Sequence, residues 1–99
     1  MCAGEDRRMS IAIPKLKGSN VFIRTVTHYF TGHVERVTKS WIILSKAAWI
    51  ADTGRFSEAL KTGGLSEVEP YPDDGVVRVS RDGTIDIGSW KHPLPREMK

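Results

Sequence analysis

Ninety-nine residues with a net charge of +3 suit one small domain, in which a single modest core buries roughly 60–68% of the unfolded surface. Apolar residues make up 39% of the chain, and no run approaches the roughly 20 needed to cross a bilayer, so a membrane span is not expected. The one cysteine, Cys2, excludes an internal disulfide framework, and no apolar stretch follows the first nine residues as a secretory signal requires; a reducing, cytoplasmic setting is the expectation.

Charge is unevenly spread. Residues 1–50 hold eight Lys/Arg and three Asp/Glu, a net +5, while residues 51–99 hold seven and nine, a net −2. A basic half attracts phosphates, and oppositely charged halves attract other copies of the chain, so a homo-oligomer is expected. The alternative is a solvated surface with uneven charge.

Residues 1–19 read as a flexible arm, with Glu5, Asp6, Arg7 and Arg8 consecutive and Pro14, Gly18, Ser19 and Asn20 breaking regular structure. Ile11-Ala12-Ile13 is a short apolar patch able to pair with a sheet edge. Val21, Ile23 and Thr25 alternate with Phe22, Arg24 and Val26, the period-2 pattern of a strand. Thr27-His28 makes a bend, and Tyr29 to Val37 forms a second strand with Phe30, Gly32 and Val34 on one face. Gly32 suits a sharp bend or bulge, and the slip of apolar parity from Val34 to Val37 marks a second. Thr38-Lys39-Ser40 is the turn before Trp41-Ile42-Ile43-Leu44, whose unbroken apolar character predicts a strand covered on both faces.

Past Trp49 the pattern changes. Phe56, Ala59 and Leu60 fall at i, i+3 and i+4, which predicts a short amphipathic helix over 54–61, capped by Asp52 or Thr53 and ended by Gly63-Gly64. Leu65 to Tyr71 is extended, and Asp73-Asp74-Gly75 turns the chain. Val76 to Ser80 and Thr84 to Gly88 are expected to pair as a hairpin across Arg81-Asp82-Gly83. The tail, residues 89–99, is irregular and should lie over the surface. Five or six short strands with one helix in residues 20–99 point to a mainly β domain, a small and strongly bent antiparallel barrel.

These residues resemble a small SH3-type barrel of the Sm-like kind. Val21-x-Ile23, Gly32-x-Val34-x-x-Val37 and Ile43-Leu44 are similar to that family's first motif, and Val76-Val77 with Thr84 to Ile87 to its closing hairpin. The resemblance implies RNA binding, read in that family by an Asp and an Asn near the second turn and an Arg-Gly pair in the last hairpin. This chain has Thr38, Ser40 and Ile42 in the first place and Arg81-Asp82-Gly83 in the second, so only Arg81 follows the pattern. The compact basic β-domain with a Trp-rich middle also resembles small bacteriophage-encoded accessory proteins, for which host cytoplasm is the implied setting.

Two constellations are candidate binding sites. The first is Trp49 with Asp52, Thr53, Gly54 and Arg55. A helix start offers free N–H groups to an anion, Gly54 permits close approach, Arg55 can grip a phosphate and Trp49 can stack on a base. The alternative is that Asp52 or Thr53 caps the helix and Trp49 is core. The second is a set of cations, Arg24, Arg36, Lys39 and Lys46, interleaved with Phe22, Tyr29 and Trp41 and joined by Arg81, which fits single-stranded nucleic acid if several face one way; the alternative, slightly favoured by the even mixture of charges elsewhere, is that Phe22 or Trp41 is core with the cations on its rim.

His28, His33 and His92 are too scattered for a metal site, and neither Cys2 nor any serine has a base beside it, so no metal, cofactor or catalytic group is expected. Glu67/Glu69 and Asp73/Asp74 read as solvated surface. The expected function is a non-enzymatic oligomeric module capturing an anionic nucleotide-type ligand, in a phage setting a host nucleotide signal. The alternatives are an Sm-like RNA binder, and a protein-interaction or virion-assembly module using Trp90 to Pro95.

Overall fold

The computed structural model describes residues 16–99. The expectations for Cys2 and for Ile11 to Ile13, and the first fifteen residues of the expected arm, lie outside the described residues. The last four residues of that arm are tied down. Ser19 donates its backbone N–H to Leu16, Gly18 donates to Val34 at 2.8 Å, Val34 donates to Ser19 at 2.9 Å, and Leu16 packs on the core.

Six strands and one helix follow: β1 (Asn20–Thr25), β2 (Tyr29–Val37), β3 (Trp41–Asp52), α1 (Phe56–Thr62), β4 (Glu67–Pro70), β5 (Val76–Ser80) and β6 (Thr84–Ser89). The helix begins two residues later than its apolar spacing predicts. It ends as expected on Gly63, whose φ of 80° carries the left-handed conformation that closes a helix, with its N–H donated to Ala59.

All strands belong to one antiparallel sheet ordered β4-β3-β2-β1-β6, with β5 also paired to β3. The long strand β3 carries β5 along Trp41 to Ser45 and β4 along Ala48 to Asp52. Between those stretches lies Lys46, with φ of 48°. Here the β2–β3 register jumps from Thr31↔Ala48 to His33↔Ser45, so Gly32 faces the two-residue step Lys46-Ala47. The bend expected at Gly32 is therefore a bulge. The parity slip after Val34 is a second one, because Val34 pairs with Leu44 and Arg36 with Ile43, leaving Glu35 extra.

The expected β5–β6 hairpin does not form. Arg81-Asp82-Gly83 does turn the chain, with Thr84 donating to Arg81 (3.2 Å) and, through its hydroxyl, to Ser80 (2.7 Å). Yet β5 pairs with β3 and β6 with β1. Asp-Gly chemistry sets a local reversal; which edges the two strands join is decided by where their apolar faces are buried. Three residues thus link opposite ends of the sheet, which must curl strongly for them to reach. No ladder joins β5 to β6 among the described residues, so the curled sheet is open rather than a closed barrel.

Two buried clusters flank the sheet. Inside the curl lie Val21, Ile23, Phe30, Val34, Ile42, Leu44, Ala47 and Val79. Outside, beneath α1 and the tail, lie Phe22, Ala48, Ile50, Ala59, Leu65, Val68 and Trp90. Each fully buried Ile or Leu among them contributes roughly 1.5–3 kcal/mol. Double coverage falls on β1 and on the second half of β3, not on Trp41 to Leu44 as expected. There Ile42 and Leu44 point inward, while Trp41 is 43% exposed, because among the described residues no element covers the outer face at that end.

The tail also departs from expectation. Trp90 is buried, 4% exposed, and stacks on Phe22 with ring centroids 5.4 Å apart, donating its indole N–H to Pro93. It is core and does not present itself to a partner. Farther on, Arg96 donates to the carbonyls of Ala47 (3.1 Å) and Tyr71 (2.6 Å) and to the Asp73 carboxylate (3.0 Å). Lys99 and Val68 exchange backbone hydrogen bonds at 2.9 and 3.1 Å, fastening the chain end to the edge of β4.

Candidate nucleic-acid interface

The loop Asp52 to Arg55 is built by its own hydrogen bonds. Asp52 closes β3 opposite Glu67, and its carboxylate accepts the Gly54 N–H at 2.7 Å. That amide is therefore not free to meet a phosphate at Gly54. Thr53 is buried and donates its hydroxyl to the Gly54 carbonyl, and Ser66 donates its N–H to Asp52. Gly54 is required on two counts: its φ is 71°, and a Cβ there would stand 2.7 Å from the Ser66 hydroxyl. The capping expected of Asp52 or Thr53 does not occur. Arg55 occupies the N-cap position without a side-chain hydrogen bond, and Asp52 instead closes a tight turn two residues back from the helix. Arg55 itself is exposed.

Trp49 stands elsewhere on the strand. It pairs across the ladder with Glu69, packs partly against the inner core, and lies 5.2 Å from the His28 ring. His28 also meets Phe30 edge-on at 4.8 Å, and burial among these rings lowers its pKa from the usual 6.5.

The second constellation divides. Arg24 is committed: it forms an ion pair with Asp86, its cross-strand partner on β6, and its guanidinium lies 5.9 Å from the centre of the Phe56 ring. Lys46 is exposed at the bulge, away from the row formed by the others. Arg81 and the turn that carries Lys39 are brought together, and Arg36 lies on β2 two residues before that turn. Arg81 donates its N–H to Ser40 (2.9 Å) and its guanidinium to the Thr38 carbonyl (2.8 Å), which sets the 81–83 corner against the 38–40 turn. Lys39 is exposed in that turn.

One residue was not singled out in the sequence. Arg36 pairs with Ile43, and Ile43 with Arg78, so the three form one row across β2, β3 and β5. Residues in one row share a face, and this is the outward face that carries Trp41. Alternation in Val76 to Ser80 placed Arg78 opposite the buried Val79, but the expected hairpin paired it with β6 and hid the row. Beside Trp41 and Arg78 opens a cavity of about 380 Å³ whose wall includes Val26, His28, Phe30 and Gly83. Ion pairs among the described residues are Arg24–Asp86 and Arg96–Asp73, so Arg36, Lys39, Arg78 and Arg81 keep their charge uncompensated by direct pairing. Glu35, which accepts from Ser45, and Asp82 in the corner are the nearby acids in sequence and register.

Chemically this face offers three things: cations in a row, an exposed indole, and an apolar hollow next to both. Among the described residues no group of three His, Cys, Asp or Glu is placed to hold a metal ion, and no helix is long and apolar enough to cross a membrane. Compared with known protein families, curated proteins and solved structures, the chain matches none.

Proposed function

We propose that this chain is a non-enzymatic binding module for single-stranded nucleic acid, engaged through the outer face of β2, β3 and β5. The observation that carries the reading is the row Arg36–Ile43–Arg78 beside the half-exposed Trp41. A single strand offers a phosphate every nucleotide and a base with two flat faces. Cations without an ion-pair partner among the described residues, on the same face as an exposed indole, match that alternation, and base stacking on an aromatic ring is worth about 1–3 kcal/mol. Lys39 and Arg81 extend the positive strip around the corner.

Capture of a lone nucleotide at Asp52 to Arg55 is the narrower alternative. It has less support, because Asp52 already fills the Gly54 amide and would have to be displaced by a second anion. An ordered strip of several cations also favours a polymer over one nucleotide.

The deciding experiment is affinity for a single-stranded oligonucleotide as a function of salt. With three or four phosphates neutralised, log K falls against log salt with a slope of about −2 to −3. A flat response would remove the proposal.

A further inference from the structure

We propose that the depression between Trp49 and Tyr71 is a binding site for an alkylammonium cation, of the quaternary or methylated-lysine type. The site lies on β4 and the chain that follows it, apart from the basic face, and stands independently of the nucleic-acid reading.

The hollow has a volume of about 350 Å³ and is lined by Trp49, Glu69, Pro70, Tyr71 and Pro72. Glu69 is exposed and is the direct cross-strand partner of Trp49, so its carboxylate and the indole rise from the same row. Trp49 is held from behind by the inner core and from the side by His28. Tyr71 is fixed at both backbone groups: its N–H is donated to Ala47 at 2.8 Å and its carbonyl accepts from Arg96 at 2.6 Å. Proline on either side locks the backbone through this stretch. The hollow is therefore formed before any ligand arrives, which spares a ligand the cost of ordering it.

Charge decides what it takes. Glu67, Glu69 and Asp74 lie exposed along this edge, and an anionic ligand would be repelled. Arg96, which lies beside Tyr71, is spent on Asp73 and three carbonyls, and the single Lys99 at the edge of β4 leaves the three carboxylates in excess. His28, beside Trp49, has its neutral form favoured by burial. Two aromatic rings and a carboxylate lining one hollow suit a large, weakly hydrated cation: the ring quadrupole and the carboxylate both favour positive charge, and methyl groups fill the apolar walls. A compact ammonium would lose more hydration on entering, which is why the alkylated class is preferred.

The test is a titration followed by NMR of the Trp49 indole and Tyr71 ring signals. The probes are choline, its uncharged carbon isostere 3,3-dimethyl-1-butanol, and a capped trimethyl-lysine. Choline should shift both signals saturably, and the isostere should bind far more weakly. Glu69→Gln should weaken choline about two- to fivefold, as loss of an exposed charge contact does, while leaving the isostere unchanged. Tighter binding of capped trimethyl-lysine than of choline assigns the cation to a peptide side chain; the reverse order assigns it to a free small molecule. Equal binding of choline and its isostere, insensitivity to Glu69→Gln, or no shift of either ring overturns the proposal.

Discussion

Lys46 and Gly32 occupy the two sides of one bulge: the lysine backbone takes a positive φ of 48° where the glycine, lacking a side chain, lets β3 close against β2. A Cβ on Gly32 would come within 3.0 Å of the Leu44 side chain. The bend thus stores strain on one strand and needs empty space on the other.

Replacing either residue reads out one half of that arrangement. Lys46→Gly removes a left-handed cost of roughly 1–2 kcal/mol and adds about 0.5–1 kcal/mol of chain entropy, so a gain of about 0.5 kcal/mol is expected in urea denaturation. Gly32→Ala overpacks the core at Leu44 and should cost about 1–3 kcal/mol. Loss of stability in Lys46→Gly would mean the lysine side chain contributes more than its backbone costs.

Thr31 is fully buried, and its hydroxyl has no hydrogen-bond partner among the described residues. Its row places it between Phe22 and Ala48. Thr31→Val keeps the shape and removes the unsatisfied oxygen, so stability should rise by about 1 kcal/mol in the same measurement. A decrease would show that the hydroxyl is hydrogen-bonded in solution.

The burial of His28 among Phe30 and Trp49 sets the sign of a pH dependence. Its pKa is lowered on folding by burial, so the unfolded chain binds a proton more readily than the folded one. Its neutral form costs nothing at high pH; as pH falls below the ordinary value of 6.5, protonation increasingly favours the unfolded state. Thermal melts of the native chain and His28→Gln should therefore diverge between neutral pH and pH 5, with the native chain losing stability faster. Parallel curves would show that the half-buried His28 ring is protonated as readily in the folded chain as in the unfolded one.

Arg96 holds the tail. Arg96→Met removes donors to Ala47, Tyr71 and Asp73 and should cost about 1.5–3 kcal/mol. Hydrogen exchange should locate the change, with the amides of Val68, Tyr71 and Lys99 losing protection first.

For the basic face, Arg36→Ala and Arg78→Ala should each lower the salt slope of oligonucleotide binding by about 0.7 and weaken it across sequences. Arg24→Ala, which breaks the Asp86 pair, should leave the slope unchanged. The reverse ranking would move the interface to β1 and β6.

The local elements were legible in the sequence because their signals are local. Alternation gave β1, Gly32 and the parity slip gave both bulges, and Gly63 gave the end of α1. What was not legible depends on partners. Asp-Gly marked the corner after Ser80, but the pairing of β5 with β3 comes from tertiary burial, and with it the Arg36–Ile43–Arg78 row. An apolar run does not reveal which face is covered, so Trp41 read as buried. Trp90, flanked by polar residues and prolines, carried no periodic signal for its place against Phe22. At Asp52 the ambiguity was chemical: the same side chain can cap a helix or close a turn, and the positive φ of Gly54 selected the turn.

Strand β1 begins the sheet and β6 completes it, with Val21 paired to Ser89, 68 residues away. On a ribosome, β1 therefore leaves the exit tunnel with one edge unpaired and waits for nearly all the remaining chain. Seven of the eight buried residues inside the curl come from β1, β2 and β3, which can pair as they emerge, but the outer cluster stays open until Trp90 follows the last strand. Folding of this domain is consequently expected to be slow for its size, gated by one late long-range ladder, and sensitive to anything that truncates synthesis before Ser89.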